Sequence, residues 1–559
     1  MIEFRNYRVP HVGGVLFADP PWDRAAAVLH RNREREAKLG GELGRIRESA
    51  RRQLIDDAAG YTSAYRDLPA RWSGAVGRSE DRPVVMAGHQ PTLFHPGVWV
   101  KNFALGELAR VQDAIAINLI VDQDVAGPPT IALPEASRGT VYRRGTVAYD
   151  GDGGGLPHEQ TSIRSAEIFQ AFDRRVRERI RPWVDHPCVS ELWGQARVAS
   201  RRTSRRGEVL AEARHRLEGD LGLETLEIPV SVAVTGTAFA DFLGMIVRDA
   251  ERFRGAYNDA VDLYRAAHGI RSRSHPVPNL GRQDGWIELP LWLYGDADPV
   301  RRSVWVRRQA KRVMLSDRAG RCIRLDARSA GWSEAIGGVV GPEWKLRPRA
   351  LMTTMYARLV LSDLFLHGIG GGKYDQLTDL IIREFFGVEP PEFVVLSATE
   401  RLPGCDTVAG DVNERIAGYR RMLRDTRYRP ERFFLDSAGV LSDPTDAARW
   451  SLGHTADTAG LIARKQELLR QIPPRGRRRA WHHEIGRVND ELAAPLSEIR
   501  ERLERALEMA RRERASRAVL TSREYAFCLF PLGALHASFR QMLGRRARSA
   551  AACPAVAVP

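Results

Sequence analysis

From residue 22 to 65 the chain carries Ala, Leu, Arg and Glu in a weak helical rhythm, which predicts a charged N-terminal helical segment over residues 1–80. The rhythm then changes. PVVMA at 83–87 is a short apolar run of buried-strand type, and GHQPTLFHPG at 88–97 reads as a loop. Residues 98–111 place Trp99, Phe103, Leu105 and Leu108 on a helix, and AIAINLIV at 114–121 is a second apolar run ending at Asp122, Gln123 and Asp124. Strand, loop, helix and strand within about 40 residues predict a parallel βαβ unit.

Residues 125–225 are rich in Arg and Gly, with DGDGGG at 150–155 as a loop, and predict a strand pair and helices beside the core. LEIPVSVAVTGTAF at 226–239 predicts another buried strand, residues 241–268 a helix, and residues 287–315 antiparallel strands around Gly295 and Asp296. LRP at 346–348 opens a helical or extended segment that runs to Leu366. HGIGGGKY at 367–374 then reads as a glycine-rich loop, and residues 375–386 as a helix with Leu377, Leu380, Ile381 and Phe385 on one face. Two further helices are predicted at 459–472 and 485–512, joined through PPRG at 473–476. In the second, Ile485, Leu492, Leu496, Ile499, Leu503, Ala506 and Ala510 form an a/d seam that Pro495 interrupts.

These elements predict an α/β protein. Its parts are a helical segment over 1–80 and a Rossmann-like parallel-sheet core over 81–400, with inserted segments at about 125–345. A connecting segment over 401–455, a C-terminal α-helical coiled-coil hairpin over 456–520 and a final segment over 521–559 follow, with a disordered tail after Gly544.

Composition narrows the class. With 559 residues and 43% apolar content the chain can bury a sizeable core, yet no apolar run approaches the roughly 20 residues that span a bilayer. MIEFRNYRVPHVGG lacks a signal pattern, so a soluble cytoplasmic protein without membrane partners is expected. Cys188, Cys322, Cys405, Cys528 and Cys553 are odd in number and form no CxxC, which supports neither a disulfide framework nor a zinc knuckle. The net charge of +15 alone raises nucleic-acid binding, but no aromatic-basic motif accompanies it, and nucleic acid is not an expected partner. Arginine supplies nearly all the positive charge. Of the six lysines, Lys38, Lys101, Lys311, Lys345, Lys373 and Lys465, two fall inside the informative segments: Lys101 and Lys373.

Candidate chemistry follows from the topology, because ligands of open parallel sheets bind beyond the carboxyl ends of the strands. His89, Gln90 and His95 leave the first strand with hydrogen-bonding groups and a base near neutrality. Asp122 and Asp124, after the second strand, suit a substrate ammonium or magnesium, and Lys101 suits an anion. Gly370, Gly371 and Gly372 let backbone amides approach a phosphate, with Lys373 and Tyr374 beside them. The loop is neither a Walker A sequence nor a full GxGxxG fingerprint. His482, His483 and Glu484 lack the HExxH spacing, and no metal site is expected.

The combination resembles the bacillithiol cysteine-adding (BshC-type) ligases. That family carries GQQxGL…GPxYxxYK, an acidic EDHD-like strand end, LRP, a GGPxExxYW loop and FGxxxP. The counterparts here are GHQPTLFHPG through Lys101, VDQD at 121–124, LRP with Arg347, GGGKY at 370–374 and FGVEP at 386–390. His89 stands where the family has glutamine, Gln123 where it has histidine, and Lys373 about where it has an acid. Phe530 and Pro531 resemble the family's terminal LPF-type segment. The resemblance implies a Rossmann-like core, a coiled coil that forms a homodimer, and a ligase joining cysteine to glucosaminyl malate. For such a reaction the candidate catalytic groups are His89, to take a proton from the attacking amine, and Asp122 or Asp124, to hold the amine of cysteine. Gln90, His95, Lys101, Arg347, Gly370, Gly371, Gly372, Lys373 and Tyr374 would bind the small-molecule substrates. The cofactor stays open, with ATP or ADP and magnesium as the candidate set. An ATP-dependent acyl- or nucleotidyl-transferring relative with another acidic substrate, and a non-catalytic dimeric scaffold, are the rival readings.

Overall fold

The computed structural model describes residues 3–68, 81–136, 142–309, 312–326, 332–337, 340–403, 411–434, 450–453, 455–544 and 556–557. The chain divides into two compact units, the first comprising residues 1–133, 145–403 and 523–559, the second 134–144 and 404–522. Of the tail expected to be disordered after Gly544, Val556–Ala557 is described, as a short strand paired antiparallel with Glu3–Phe4; its other residues and the Cys405 and Cys553 positions lie outside the described residues.

The first unit is built on a six-stranded sheet. Its strands are β1 (Val15–Asp19), β2 (Val84–His89), β3 (Ile115–Ile120), β4 (Leu226–Pro229), β5 (Leu364–His367) and β6 (Val394–Thr399), in the order β1-β6-β5-β2-β3-β4. All neighbours are parallel except β1, which runs antiparallel to β6 at the edge. Strands β3, β5 and β6 are buried along their whole length and β2 everywhere but at Gly88, as expected of near-continuous apolar runs covered on both faces. The βαβ unit predicted at 83–121 is present as β2, the helix Pro96–Val111 and β3.

Several expectations change. β1 lies inside the segment expected to be helical; only α1 (Ala25–Glu36) and α2 (Gly41–Ser63) follow the helical rhythm there. The helix of the βαβ unit is α3 (Pro96–Val111), and α4 (Arg206–Asp220) leads into β4. The strand expected over 226–239 stops at Pro229, and the chain turns helical from Val230. The single helix expected over 241–268 is two, α5 (Thr237–Arg248) and α6 (Ala250–Ala267). The segment expected to be helical or extended up to Leu366 is both: helical over 350–361, then extended as the four-residue strand β5. Asp363 sets its start: its backbone N–H donates to Val84 O at 2.7 Å, its carboxylate accepts from Val84 N at 2.6 Å, and Arg51 pairs with it at 2.7 Å. The glycine-rich segment is not a loop. Gly368 caps α7 (Ile369–Ile381), so Gly370, Gly371, Gly372, Lys373 and Tyr374 are its first turns.

A second sheet in this unit runs antiparallel through Trp286–Tyr294, Arg302–Gln309, Arg312–Ser316 and Cys322–Asp326, with Lys345–Pro348 on its other edge, matching the antiparallel strands predicted from residue 287.

The second unit is helical over most of its described length. α8 (Asp411–Tyr428), α9 (Ala456–Arg470), α10 (Arg478–Ala493) and α11 (Ser497–Leu520) pack around Val488, Leu492, Leu496, Ile499 and Leu503. Pro495 sits in a single tight turn between α10 and α11, where the helix restarts. α9 packs on α10 across the predicted turn, but α11 packs along α8, a helix that the connecting segment did not announce. Among the described residues no helix is long and apolar enough to cross a membrane.

Candidate functional site

Strand order reverses between β2 and β5. From β2 the chain builds outward through β3 and β4, and β5 and β6 return on its other side. At such a switch point the loops leaving the two central strands part and leave a crevice beyond their carboxyl ends. A cavity of about 460 Å³ opens there. It is lined by Gly88, His89 and Gln90 at the end of β2, His95, Gly97 and Lys101 at the start of α3, and His367 to Gly371 at the end of β5 and start of α7. Ser397 of β6, Arg523 and Glu524 complete it.

Close packing shapes this crevice. A Cβ on Gly97 would stand 2.1 Å from Ala398 O, so only glycine lets α3 lie against β6. A Cβ on Gly372 would stand 2.3 Å from Val395 Cγ2, which imposes the same demand between α7 and β6. Both helices therefore bring their N-termini to the crevice, where unsatisfied amide N–H groups favour an anion.

Two cations border the same space. Lys101 is buried, donates from Nζ to Gly88 O at 2.9 Å, and has its pKa lowered to about 8 by burial. Arg523 donates to Ser397 Oγ at 2.9 Å and Ala398 O at 2.8 Å. Glu524 is the acidic residue of the lining.

Three imidazoles line the crevice, and burial makes each a weaker base. Burial lowers the pKa of His89 well below its ordinary value, aided by Arg214 and Lys101. His89 packs edge-on against Phe94, and its Nε2 is buried without a hydrogen-bond partner. His95 is lowered to about 4 by burial; its Nδ1 caps α3 by accepting from Gly97 N at 3.0 Å, and its Nε2 faces Glu524 at 3.6 Å. His367 is lowered by burial, with Asp375 acting against the shift. Its Nε2 lies 2.8 Å from Asp375 Oδ2.

Of the residues singled out by sequence, His89, Gln90, His95, Lys101, Gly370 and Gly371 line this cavity. Gly372 serves helix packing, and Tyr374 lies with its ring 5.8 Å from that of His275. Lys373 is half-buried in the first turns of α7, outside the lining. Asp122, Asp124 and Arg347 stand in a neighbouring polar cluster. Asp122 accepts from Ser231 N at 3.0 Å and from Ser231 Oγ, and burial, reinforced by Glu159, raises its pKa to about 7. Asp124 accepts from Gln90 Nε2 at 2.5 Å and Arg301 Nη1 at 3.2 Å, so Gln90 links the cluster to the cavity. Arg347 grips Glu159 through two bonds of 2.8 and 3.0 Å. The pattern did not point to His367, Asp375 or Arg523; a histidine and an aspartate eight residues apart across a glycine-rich helix start is the signal that was there to be used.

For metal, His215, Glu218 and Glu227 bring one ligand atom each within 4.8 Å of one another. Arg214 already supplies positive charge to that cluster, donating to Glu218 Oε1 at 2.8 Å and also to Glu227 Oε1. His215 is held by Tyr65 OH at 2.7 Å and by the Thr225 carbonyl at 3.0 Å. Apart from Glu218 Oε2, which is buried without a partner, the ligand atoms are engaged in hydrogen bonds within the fold, and Arg214 occupies the place of a counter-charge. No protein-family model and no curated protein matches the chain.

Proposed function

We propose that this protein is a Rossmann-like ligase of the bacillithiol cysteine-adding type, joining cysteine or a related amino acid to an acidic amino-sugar conjugate such as glucosaminyl malate. The observation that carries the reading is the convergence of segments 88–101 and 367–371, far apart in sequence, on one cavity at the switch point of a parallel sheet. Residues 88–101 and the GGGKY segment at 370–374, of which Gly370 and Gly371 reach the cavity, are among the segments that resemble that family.

The crevice fits an anionic substrate group. Lys101, Arg523 and two helix N-termini favour a carboxylate or phosphate, and Glu524 is the only acid among the lining residues. A bound nucleoside triphosphate would supply the activation that a free carboxylate needs; Gly368, Gly370 and Gly371 are the backbone groups placed to hold its phosphates. Gln90, fixed by Asp124, faces the same space and suits orientation of the amino acid. The coiled-coil homodimer stays in this proposal only as part of the resemblance, because the seam residues Ile499, Leu503 and Ala510 are buried against helices of their own unit.

Incubation of the full chain with cysteine, glucosaminyl malate and ATP, followed by mass spectrometry, tests the strict form. Bacillithiol should appear and should depend on ATP. Folded protein that yields no amide from these substrates sinks it. ATP-dependent release of ADP or AMP with another acidic acceptor would favour the relative with a different substrate.

A further inference from the structure

Proton removal needs a base, and the geometry points to one that the sequence did not suggest. We propose that His367, oriented by Asp375, is the general base of this site and takes a proton from the amine nucleophile of a substrate whose carboxylate or phosphate lies against α3 and α7. The inference rests on the switch-point cavity being the active site.

The bonding fixes the tautomer. An ionised carboxylate only accepts, so the 2.8 Å contact with Asp375 Oδ2 places the imidazole proton on Nε2 and leaves a lone pair on Nδ1. Asp375 is itself immobilised: Arg358 Nη1 donates to it at 2.7 Å and Thr354 Oγ1 at 2.6 Å. Burial opposes its charge, but Arg358 and His367 hold its carboxyl well below the usual range, so it stays an acceptor. The ring is clamped by Phe365 and Phe393, with centroids 4.6 and 5.0 Å away.

Nδ1 faces the crevice at one particular residue. A Cβ on Gly371 would stand 2.9 Å from it, and Gly371 lines the cavity. The absence of a side chain there keeps the lone pair open. The charged groups acting on the ring are Asp375, which favours protonation, and Arg358 and Lys101, which oppose it; with burial they keep the imidazole neutral and ready to accept. His89 and His95 are less suited, since among the described residues no carboxylate orients the His89 ring or would face its imidazolium, and the Nδ1 of His95 is spent on the α3 cap.

The amine lone pair forms the new C–N bond, and the acyl carbon loses the leaving group installed at the expense of a nucleoside triphosphate. The amine proton passes to His367 Nδ1, leaving an imidazolium opposite Asp375.

Two measurements on the full chain test this. First, the protein is labelled with ¹⁵N-histidine, and its ring nitrogens are followed by NMR while L-malate is added. His367 should show a protonated Nε2 and a bare Nδ1 at pH 7, and malate should shift Nδ1 in the wild type but not in Gly371→Ala. A protonated Nδ1, or one indifferent to malate that calorimetry shows to be bound, overturns the proposal. If neither malate nor phosphate binds, the site reading falls and takes this inference with it. Second, where amide is formed, His367→Gln should lower kcat by about 100-fold or more with little change in KM and abolish the acidic limb of the pH profile. An unchanged limb overturns the role of His367 while leaving the ligase reading intact. A wild type that forms no amide fails the ligase reading alone, and the NMR result still decides the base.

Discussion

At the scale of single residues, the buried ionisable groups carry the sharpest consequences. Lys101 has a folded pKa of about 8, below its ordinary 10.5. The folded protein therefore loses this proton before the unfolded chain does. The cost of burying the ammonium is fully present below pH 8 and is relieved as pH rises from about 8 to about 10.5. Lys101→Met should stabilise the protein at pH 7 by on the order of 2 kcal/mol in a denaturant titration. The same change should weaken malate or phosphate binding about tenfold, because it removes a charge from the anion's surroundings. In the wild type, calorimetric affinity for either anion should fall as pH rises through 8. Asp122 has the opposite linkage. Its pKa is raised to about 7, so its penalty is absent near pH 4, grows with pH and is complete above pH 7. Asp122→Asn should match the wild type at pH 4 and exceed it by on the order of 2 kcal/mol at pH 8, as read from pH-dependent melts. A stability gap that does not vary with pH would remove this account of Asp122.

At the scale of elements, the glycines of α7 divide into two kinds. Nothing lies within 4 Å of a Cβ on Gly370, whereas one on Gly372 meets Val395 at 2.3 Å. Both positions are helical. Gly370→Ala should raise stability by up to about 1 kcal/mol, since alanine favours helix and restricts the unfolded chain. Gly372→Ala should lower it by about 1–3 kcal/mol, because α7 must move away from β6. Parallel melting curves of the two variants check the pair; equal shifts would show that this helix is not held as described. The seam of α11 behaves like a core: Leu503 is fully buried. Leu503→Ala should cost about 2–5 kcal/mol of the second unit's stability.

At the scale of the molecule, each unit has its own apolar core. One is centred on the central sheet and its covering helices, the other on α8, α10 and α11. Separate cores predict separate unfolding steps, so scanning calorimetry should show two transitions rather than one. Malate at 100 times its dissociation constant should raise the transition of the first unit by about 2.7 kcal/mol equivalent and leave the other in place. A single transition that moves as a whole would show that the chain melts as one body.

The sequence by itself determined the elements whose signals are local. β2, α3 and β3 are legible because continuous apolar runs alternate with a helical rhythm inside one short stretch, and α10 and α11 because their seam repeats. Gly88, His89 and Gln90 are legible as site residues because a strand must end where the polar loop begins. Other features depend on contacts between distant positions. β5 is four residues long and becomes a strand only through its pairing with β2 and the anchoring of Asp363. The glycine-rich segment becomes helix because Gly372 can approach Val395, a neighbour with no trace in the local pattern. Asp122 and Asp124 follow their strand as expected, yet Ser231, Gln90 and Arg301 decide what their carboxylates face. His367 becomes a candidate base only when the fold turns Asp375 to one ring nitrogen and clears Gly371 from the other. Local pattern sets where strands and helices begin, whereas the partners of a buried polar group are chosen by the tertiary fold, from 8 residues away for His367 and Asp375 to 312 for Arg51 and Asp363.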